Sequence, residues 1–349
     1  MRKNSYKIAL VDCTKSIYNE EISSGMALGG IERCIISLSR ALSNKGHDVQ
    51  VFAHEQSESH HNNIRWVSKS HPTPFKADIV IACNDPKLFD LYATNSNHSG
   101  FQAFLWHHNP VGFWKTLRKG RLLPLLKWNP THILLGTDHL LTYPKCLSFQ
   151  KKMIIEHGIE DSILDFSRSL SDSSPRPPHA AFISQAYRGL ENVIDLWKKY
   201  VFPEFPSAKL FIYSTYPAKD NSLESFGITI QGRLPRQDLL NELSTKRITL
   251  IPGHEDETFC LSAIESQCLG LPVISFGIGA LKERIQNQDD GFLVSSEKDF
   301  AEKILLLLKN DDVWLRMSQK AKEHNLTAAW SYKATLWESL FEDNNNDQE

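Results

Sequence analysis

The stretch that decides the fold, Pro252–Ile274, reads PGHEDETFCLSAIESQCLGLPVI. The apolar run 248–251 ends just before it, and apolar residues keep helical spacing through 261–269. Gly270 stops that helix, and Pro272 introduces the next apolar run. The stretch therefore predicts a strand, a loop, a helix and a second strand in succession, which is the unit that builds parallel sheets.

Two carboxylates in this stretch are candidates for a binding site. Glu257 lies in the loop and Glu265 about two turns into the helix. Such a loop follows the carboxyl end of a strand, where open α/β sheets bind ligands. Carboxylates there can accept hydrogen bonds from sugar hydroxyls while the helix N-terminus faces a phosphate. On spacing alone, an ordinary first-turn glutamate and a solvated surface charge explain the pair equally well.

Length and composition describe a globular, two-domain chain. It has 349 residues, 41% hydrophobic and 23% charged, and no apolar stretch near the ~20 residues of a membrane span. A net charge of −2 argues against wholesale binding of nucleic acid. The six cysteines form no CxxC pair, so neither a zinc site nor a disulfide framework is predicted. The first apolar run begins at Ile8, which leaves no room for a signal peptide and predicts a cytoplasmic location.

Short strand-like runs alternate with helical patterns through both halves of the chain. This rhythm predicts an α/β fold of two Rossmann-like, doubly wound parallel-sheet domains. No GxGxxG pattern is present, which disfavours a nicotinamide or flavin enzyme. The predicted strands are Ile8–Val11, Val49–Ala53, Ile79–Cys83, Phe101–Trp106, Ile133–Leu135, Met153–Ile155, Ala181–Ile183, Leu210–Tyr213, Ile228–Ile230, Ile248–Ile251, Val273–Ser275 and Phe292–Val294.

Composition also predicts the domain boundaries. The first domain is expected at 1–166, followed by a linker at 167–178, where serine and proline break every apolar period. The second domain is expected at 179–325. An amphipathic helix at 326–343 should cross back to the first domain, and a polar, disordered tail should follow at 344–349.

A glycine pair, Gly29 and Gly30, opens the first helix of the first domain. Glycines at a helix start let backbone N–H groups approach a phosphate, and the helix dipole favours the negative charge. A tight strand-to-helix turn that needs glycine explains an isolated pair just as well.

The ordered set of motifs resembles the retaining glycosyltransferases of family 4. Glu257 and Glu265, with seven residues between them, resemble the EX7E signature of that family. The resemblance implies a GT-B fold, in which two domains face each other across a cleft. It further implies a nucleotide diphosphate sugar as donor, bound mainly by the C-terminal domain, an acceptor-binding N-terminal domain, and no metal. The same order of motifs continues in Gly29–Glu32, Gly46–Val49, Ile155–Glu160 and Gly291–Val294.

The resemblance assigns roles to individual residues. It implies that Glu257 lies beside the donor sugar and that Glu265 grips the ribose hydroxyls. Arg188 takes the place of the basic residue, often lysine, that pairs the donor diphosphate. By position alone Arg188 is also an ordinary arginine at a helix start. The same resemblance places five further residues at the donor: Gly29, Gly30, Gly232, Phe259 and Leu261.

Two positions depart from the family pattern. Ile183 stands where a second basic residue usually precedes the first by five positions, so Arg233 is a candidate for the missing charge. Cys260 replaces the glycine common after the phenylalanine, which could narrow the sugar pocket. Both departures bear on the choice of donor.

Paired histidines end a strand of the first domain. Family members often carry a histidine at this turn, and a neutral imidazole there can hydrogen-bond a sugar hydroxyl or help to organise the leaving phosphate. His108, directly before Asn109, is the predicted catalytic histidine, with His107 close behind. Packing of one ring on Trp106 and solvation of the other is the structural alternative. His157 is expected to be structural.

The segment 111–128 contains five Lys/Arg, no acidic residue, two tryptophans and several leucines. Basic residues interleaved with aromatics suit anionic lipid headgroups, where each can contribute about 1 kcal/mol. A helix packed on its own domain with a solvated basic face fits equally well. The first interpretation predicts a protein peripheral on the inner face of the cell membrane.

The sequence therefore predicts a retaining glycosyltransferase that transfers a sugar from a nucleotide diphosphate sugar to a glycan or lipid-linked acceptor. Two alternatives stay open at this stage. One is a GT-B-fold epimerase or phosphorylase, and the other is an inactive nucleotide-sugar-binding subunit.

Overall fold

The computed structural model describes residues 5–19, 28–54, 58–69, 74–147, 150–170, 175–216, 221–325 and 328–346. The chain divides into two compact units. The first unit comprises 1–158 together with 330–349, and the second comprises 159–329. The first unit is therefore discontinuous in sequence, and the second is inserted into it.

The first unit contains an eight-stranded sheet in the order β3-β4-β2-β1-β5-β6-β7-β8. All neighbouring strands are parallel except β3 and β4. The strands are β1 Lys7–Val11, β2 Asp48–Ala53, β3 Ser59–His61, β4 Ile64–Ser68, β5 Ile79–Cys83, β6 Gln102–Trp106, β7 Thr131–Leu134 and β8 Lys152–Ile154. The helices are α1 Gly30–Asn44, α2 Lys87–Ser96, α3 Phe113–Arg118, α4 Leu122–Trp128, α5 Thr137–Leu141 and, from the end of the chain, α13 Trp330–Asn346.

Helix α13 completes the core of the first unit. Trp337 and Phe341 are fully buried, and their rings pack on Phe104 and Trp106 of β6 at centroid distances of 5.5–6.1 Å. Burying one large aromatic side chain stabilises a fold by about 2–3 kcal/mol. The helix runs to Asn346, so the tail predicted at 344–349 is wrong for its first three residues. Residues 347–349 lie outside the described residues.

The second unit contains a six-stranded, wholly parallel sheet in the order β11-β10-β9-β12-β13-β14. Its strands are β9 His179–Phe182, β10 Lys209–Ile212, β11 Ile228–Ile230, β12 Ile248–Leu250, β13 Val273–Ser275 and β14 Gly291–Leu293. Its helices are α6 Asp161–Ser169, α7 Leu190–Leu196, α8 Arg236–Ser244, α9 Leu261–Cys268, α10 Leu281–Arg284, α11 Glu297–Lys309 and α12 Asp311–His324. Its core contains four fully buried aromatics, Phe182, Trp197, Phe300 and Trp314.

The predicted linker at 167–178 is wrong in its first residues. Helix α6 extends to Ser169 and belongs to the second unit. Ser167 is buried, and its hydroxyl donates a hydrogen bond to the carbonyl of Cys268. The serine content of the segment predicted a flexible linker, but Ser167 instead provides a hydrogen-bond donor for the carbonyl at the end of α9. The boundary between the two units lies between Gly158 and Ile159. Residues 171–174 lie outside the described residues.

In each sheet the strand order reverses at one point. In the first unit the chain builds outward from β1 toward β2, and then returns to place β5 on the other side of β1. In the second unit the corresponding point lies between β9 and β12. Such a reversal leaves a crevice beyond the carboxyl ends of the two strands, where open α/β sheets bind ligands. The loops that follow these four strands are therefore the candidate ligand-binding loops of the two units.

Candidate functional site

The loops after β9, β12 and β13 pack closely at the reversal point of the second unit. Gly279 has a φ of +64°, and a Cβ atom on it would lie 2.6 Å from the carbonyl of His254 and 2.8 Å from that of Glu257. Gly189 has a φ of +98°, and a Cβ there would lie 2.9 Å from Pro252. Only glycine allows both the backbone angle and these approaches. The close packing fixes where the side chains of these loops project.

Arg188 and Glu257 meet in this crevice. Arg188 follows β9 in a short 3₁₀ turn, Ala186–Arg188, and Glu257 follows β12. The guanidinium Nη1 donates to Glu257 Oε2, and the side chains are 22% and 11% exposed. The sequence prediction placed both residues at the donor, and the structure brings them together as an ion pair.

Glu265 lies on α9 and is 7% exposed. Both of its carboxylate oxygens face Arg236 at the start of α8, with Nη2 to Oε1 at 2.7 Å and Nη1 to Oε2 at 2.9 Å. The Glu160 carboxylate lies 4.0 Å from Arg236 Nε. The Nη1 contact is a hydrogen bond and the Nη2 contact is an ion-pair contact, so two atoms of the guanidinium lie against the two carboxylate oxygens. The sequence missed Arg236, whose partner lies 29 residues away.

The predicted second cation, Arg233, is exposed. Gly232 before it has a φ of +73°, and nothing lies within 4 Å of the position of its missing Cβ. Arg236, three residues later, is the more buried arginine and carries the contact with Glu265. The structure therefore points to Arg236 as the better-placed cation beside the predicted ribose glutamate.

Cys260 begins α9 in the left-handed conformation, with a φ of +66° and a ψ of +73°. A non-glycine residue in this region costs on the order of 1–3 kcal/mol. The side chain is buried among Ile251, Ala263 and Leu281, and burial raises the pKa of its thiol well above the usual value. The thiol thus packs in the core of the second unit as a small apolar group. Phe259 before it is also buried, with the Arg284 guanidinium 4.7 Å from its ring, whereas Leu261 is half-buried.

The paired histidines of the first unit are both buried and take different environments. The ring of His108 stacks on His157 at 5.0 Å and packs against Trp106 at 4.3 Å. Its backbone N–H donates to Asn84 Oδ1 at 2.8 Å. Burial, with a smaller contribution from His139, lowers the pKa of His108 to about 3, so the imidazole is neutral at physiological pH.

His107 belongs to a buried polar chain. Its Nε2 lies 2.9 Å from His132 Nδ1, and the two rings stack. His132 Nε2 in turn lies 3.0 Å from Gln150 Oε1 and 3.2 Å from the hydroxyl of Tyr143. Burial lowers the pKa of His132 to about 4 and that of His107 well below its usual value. His107, and not His108, lines a cavity within the first unit.

The glycine pair begins α1, with Gly29 as its N-cap. The Glu32 carboxylate lies against Gly29, so an acidic group occupies the space beside this helix start. Residues 20–27 of the preceding loop lie outside the described residues. Phosphate binding by Gly29 and Gly30 stays a prediction.

The basic segment 111–128 forms α3 and α4. Thr116 and Leu125 are buried, so part of the segment packs on its own unit. Five large apolar side chains remain exposed: Phe113, Trp114, Leu117, Leu123 and Leu126. Not all five basic residues of the segment belong to a solvated basic face, because Arg121 pairs with Asp85 at 2.8 Å and is only 14% exposed.

Neither a metal cluster nor a membrane-spanning helix occurs in the described part of the chain. No three His, Cys, Asp or Glu residues there are grouped to hold a metal ion. No helix there combines the length and the hydropathy needed to cross a bilayer.

The residues that match a known protein family all lie in the second unit. Residues 180–324 match the family described as Glycosyl transferases group 1. This group 1 region contains Arg188, Arg236, Glu257 and Glu265. A D-inositol 3-phosphate glycosyltransferase from Corynebacterium aurimucosum is 31% identical over 111 residues, which are 31% of this chain and 26% of that relative. The chain thus matches only about a quarter of the length of this curated relative.

Solved structures match nearly the whole chain. Sucrose-phosphate synthase from Thermosynechococcus elongatus superposes with a TM-score of 0.71 at 14% identity, covering 98% of this chain and 100% of that one. Alr3699/HepE from Anabaena, solved in complex with UDP, also gives 0.71 at 14% identity, covering 97% and 100%. These matches show the GT-B fold, with a group 1 region in its second unit.

Proposed function

We propose that this protein is a retaining glycosyltransferase that uses a nucleotide diphosphate sugar as donor. The observation that carries the proposal is the pairing of Arg188 with Glu257 at the reversal point of the second sheet. Glu265 lies on the helix that begins just after Glu257, inside the group 1 region. The names of the relatives, and the UDP in the Anabaena structure, support a nucleotide-linked ligand.

Arg188 is assigned to the donor diphosphate. Its guanidinium presents several N–H donors in a planar fork, which suits phosphate oxygens and opposes the charge that develops on the leaving group. One of those donors, on Nη1, faces the Glu257 carboxylate. Donor binding would therefore move part of this contact to the diphosphate and leave Glu257 able to accept a hydrogen bond from the sugar.

Glu265 is assigned to the ribose hydroxyls, with Arg236 as its positioning residue. The two-point contact between them holds the carboxylate in a fixed orientation. One positive charge beside two carboxylates, Glu265 and Glu160, also prevents their mutual repulsion. Arg236, rather than Arg233, is therefore assigned to the place of the second basic residue that Ile183 cannot provide.

The acceptor is proposed to lie at an anionic membrane surface. Trp114 and Leu123 are 77% and 78% exposed, and both lie on the α3–α4 hairpin, as do the exposed Arg118 and Lys119. A surface of this composition suits the interface of an anionic bilayer. A lipid-linked or cell-surface glycan is the matching acceptor. A cytoplasmic location, peripheral on the inner face of the membrane, accompanies this proposal.

Product analysis distinguishes this function from its alternatives. A thermal-shift screen against UDP-, GDP- and ADP-sugars identifies the donor, because a ligand of the native state raises apparent stability. Incubation of that donor should release a free nucleoside diphosphate, and the transferred sugar should keep its anomeric configuration by NMR. An epimerised sugar or a sugar 1-phosphate product would indicate an epimerase or a phosphorylase. Tight donor binding without any turnover would indicate an inactive binding subunit.

A further inference from the structure

The first unit contains a cavity of about 220 Å³ at its own strand-order reversal, and the described residues that line it all belong to that unit. Thr14, which follows β1, and Asn84, which follows β5, line its base. The hairpin of α3 and α4 supplies much of the remaining wall. Reversal points are where open α/β sheets bind ligands, so position alone makes this cavity a candidate site.

The charge of the cavity wall is positive. Lys115, Lys119 and Arg121 line it, and none of the described residues that line it is a carboxylate. Lys69 adds a fourth positive charge nearby, since its Nζ donates to the backbone carbonyl of Thr14 at 2.8 Å. Two carboxylates, Asp85 and Asp12, contact residues of the wall: Asp85 pairs with Arg121, and Asp12 accepts a hydrogen bond from the hydroxyl of Thr14.

Arg121 has donor capacity left on the buried side of this wall. Its Nη2 is paired with Asp85, but its Nε is buried without a hydrogen-bond partner among the described residues. A buried, unsatisfied donor costs about 1–3 kcal/mol. An acceptor oxygen that came within hydrogen-bond distance of this nitrogen would remove that cost.

The neutral part of the wall suits hydroxyl groups. His107 and His132 line the cavity as uncharged rings, because burial lowers the pKa of each. Asn84, Asn109 and Thr14 add neutral donors and acceptors. The wall therefore combines cations with neutral polar groups and apolar side chains, which matches an organic phosphate better than a bare ion.

We propose that this cavity binds the phosphate group of a hydroxylated phosphate ester, which serves as the acceptor. The anionic oxygens would face Arg121, Lys115 and Lys119, and the hydroxylated part would face the neutral groups at the base. The role as acceptor rests on the proposed function, whereas the anion site itself does not. A free phosphate ester and a phosphate-bearing lipid headgroup share this chemistry.

The test measures binding of inorganic phosphate to the full chain by calorimetry, with excess UDP present to fill a donor site. The cavity variant is Lys115→Gln combined with Lys119→Gln. The matched control is Arg118→Gln combined with Lys127→Gln, which removes the same charge from the same hairpin at residues that do not line the cavity. The cavity variant should weaken phosphate binding at least tenfold, and the control should change it by less than about twofold.

Equal affinities for the native chain and both variants, or no phosphate binding by the native chain, would overturn the site. Binding to vesicles of phosphatidylcholine with phosphatidic acid distinguishes the two sources. A lipid source predicts vesicle binding that inorganic phosphate displaces and that the cavity variant weakens more than the control variant does. A soluble ester predicts vesicle binding that inorganic phosphate does not displace and that the two variants weaken equally. UDP binding of the same variants should be unchanged. If the native chain bound phosphate but did not turn over any donor, that result would contradict the proposed function and leave the anion site intact.

Discussion

Arg188 and Glu257 form an ion pair although they are 69 residues apart and follow the two strands that flank the reversal of the second sheet. The pair places two opposite charges at the crevice beyond the ends of β9 and β12. In the proposed mechanism, a bound donor exchanges part of this contact for contacts between Arg188 and its own diphosphate oxygens. This exchange makes the pair the most direct test of the proposed mechanism.

Replacing Arg188 by Lys should lower kcat at least tenfold, because lysine keeps the charge but loses the planar fork of donors. Arg188→Ala should lower it further, by about a hundredfold or more. Steady-state kinetics with the identified donor measures both values. Arg168→Ala is the control, since Arg168 is an exposed arginine on α6 that pairs with Asp165 within the same helix. Full activity of Arg188→Ala would remove Arg188 from the site.

Arg236→Gln should weaken nucleoside diphosphate binding more than tenfold, because Glu265 would lose the cation that orients it. Arg233→Gln, an equal charge change at an exposed position three residues earlier, should weaken binding by less than about threefold. Isothermal titration calorimetry compares the two variants. The reverse order of effects would assign the second charge to Arg233 and leave Arg236 with a structural role.

Glycosyl transfer should survive EDTA, because the resemblance to family 4 assigns charge neutralisation at the diphosphate to Arg188. The measurement is the initial rate before and after chelation and dialysis. A rate that falls to background with EDTA and returns with Mg²⁺ or Mn²⁺ would contradict the assignment. Arg188→Ala with added Mg²⁺ is the matched comparison, since rescue there would mean that a metal ion can replace the guanidinium.

Trp114→Ser combined with Leu123→Ser should release the protein from vesicles that contain phosphatidylglycerol. These side chains are 77% and 78% exposed, so the change should leave the core intact. The control is Leu141→Ser combined with Tyr332→Ser, which removes exposed apolar groups of the same unit outside the hairpin. Co-sedimentation at rising salt measures the electrostatic part, since the Debye length falls from about 10 Å at 0.1 M to about 3 Å at 1 M. Equal binding to neutral and anionic vesicles would argue for a soluble acceptor.

Acid should destabilise the first unit through its buried histidines. The folded pKa values of His108 and His132 are about 3 and about 4, below the ordinary value of 6.5. Both rings are neutral in the fold and take up protons in the unfolded chain, so stability is full above pH 6.5 and falls as pH decreases toward those values. The loss is up to about 1.4 kcal/mol per pH unit for each histidine.

Urea unfolding between pH 7 and pH 4.5 measures this loss. His132→Gln should reduce the slope of stability against pH by about the contribution of one histidine. His60→Gln is the matched control, the same substitution at a histidine whose side chain is 68% exposed. An unchanged slope in both variants would show that other groups govern the acid sensitivity.

The strands were predictable wherever apolar runs are continuous, because buried parallel strands leave no polar face. All twelve predicted strands are present, but β3 and β4 were missed. Polar residues interrupt both strands, and they form an edge hairpin. Their joining residues, Asn62 and Asn63, have φ values of +48° and +62°, and an Asn-Asn pair between short alternating runs was the available signal.

Only those residues of the candidate site that belong to recognisable sequence motifs were predictable. Glu257, Glu265 and Arg188 carry recognisable spacing, whereas the contact between Arg236 and Glu265 depends on how the loop after β11 approaches α9. Side-chain pairing between different loops leaves no periodic trace in a sequence. His108 shows the same limit, because its burial against Trp106 and His157 follows from the position of β6.

The return of α13 to the first unit has a consequence for synthesis on the ribosome. All of 159–329 must be translated before Trp337 and Phe341 emerge, so Phe104 and Trp106 are made long before the residues that cover them. The nascent first unit therefore presents an aromatic face throughout synthesis of the second. The second unit is continuous in sequence and can fold as soon as it is synthesised. The first unit begins earlier in the chain but is completed only when α13 has been translated.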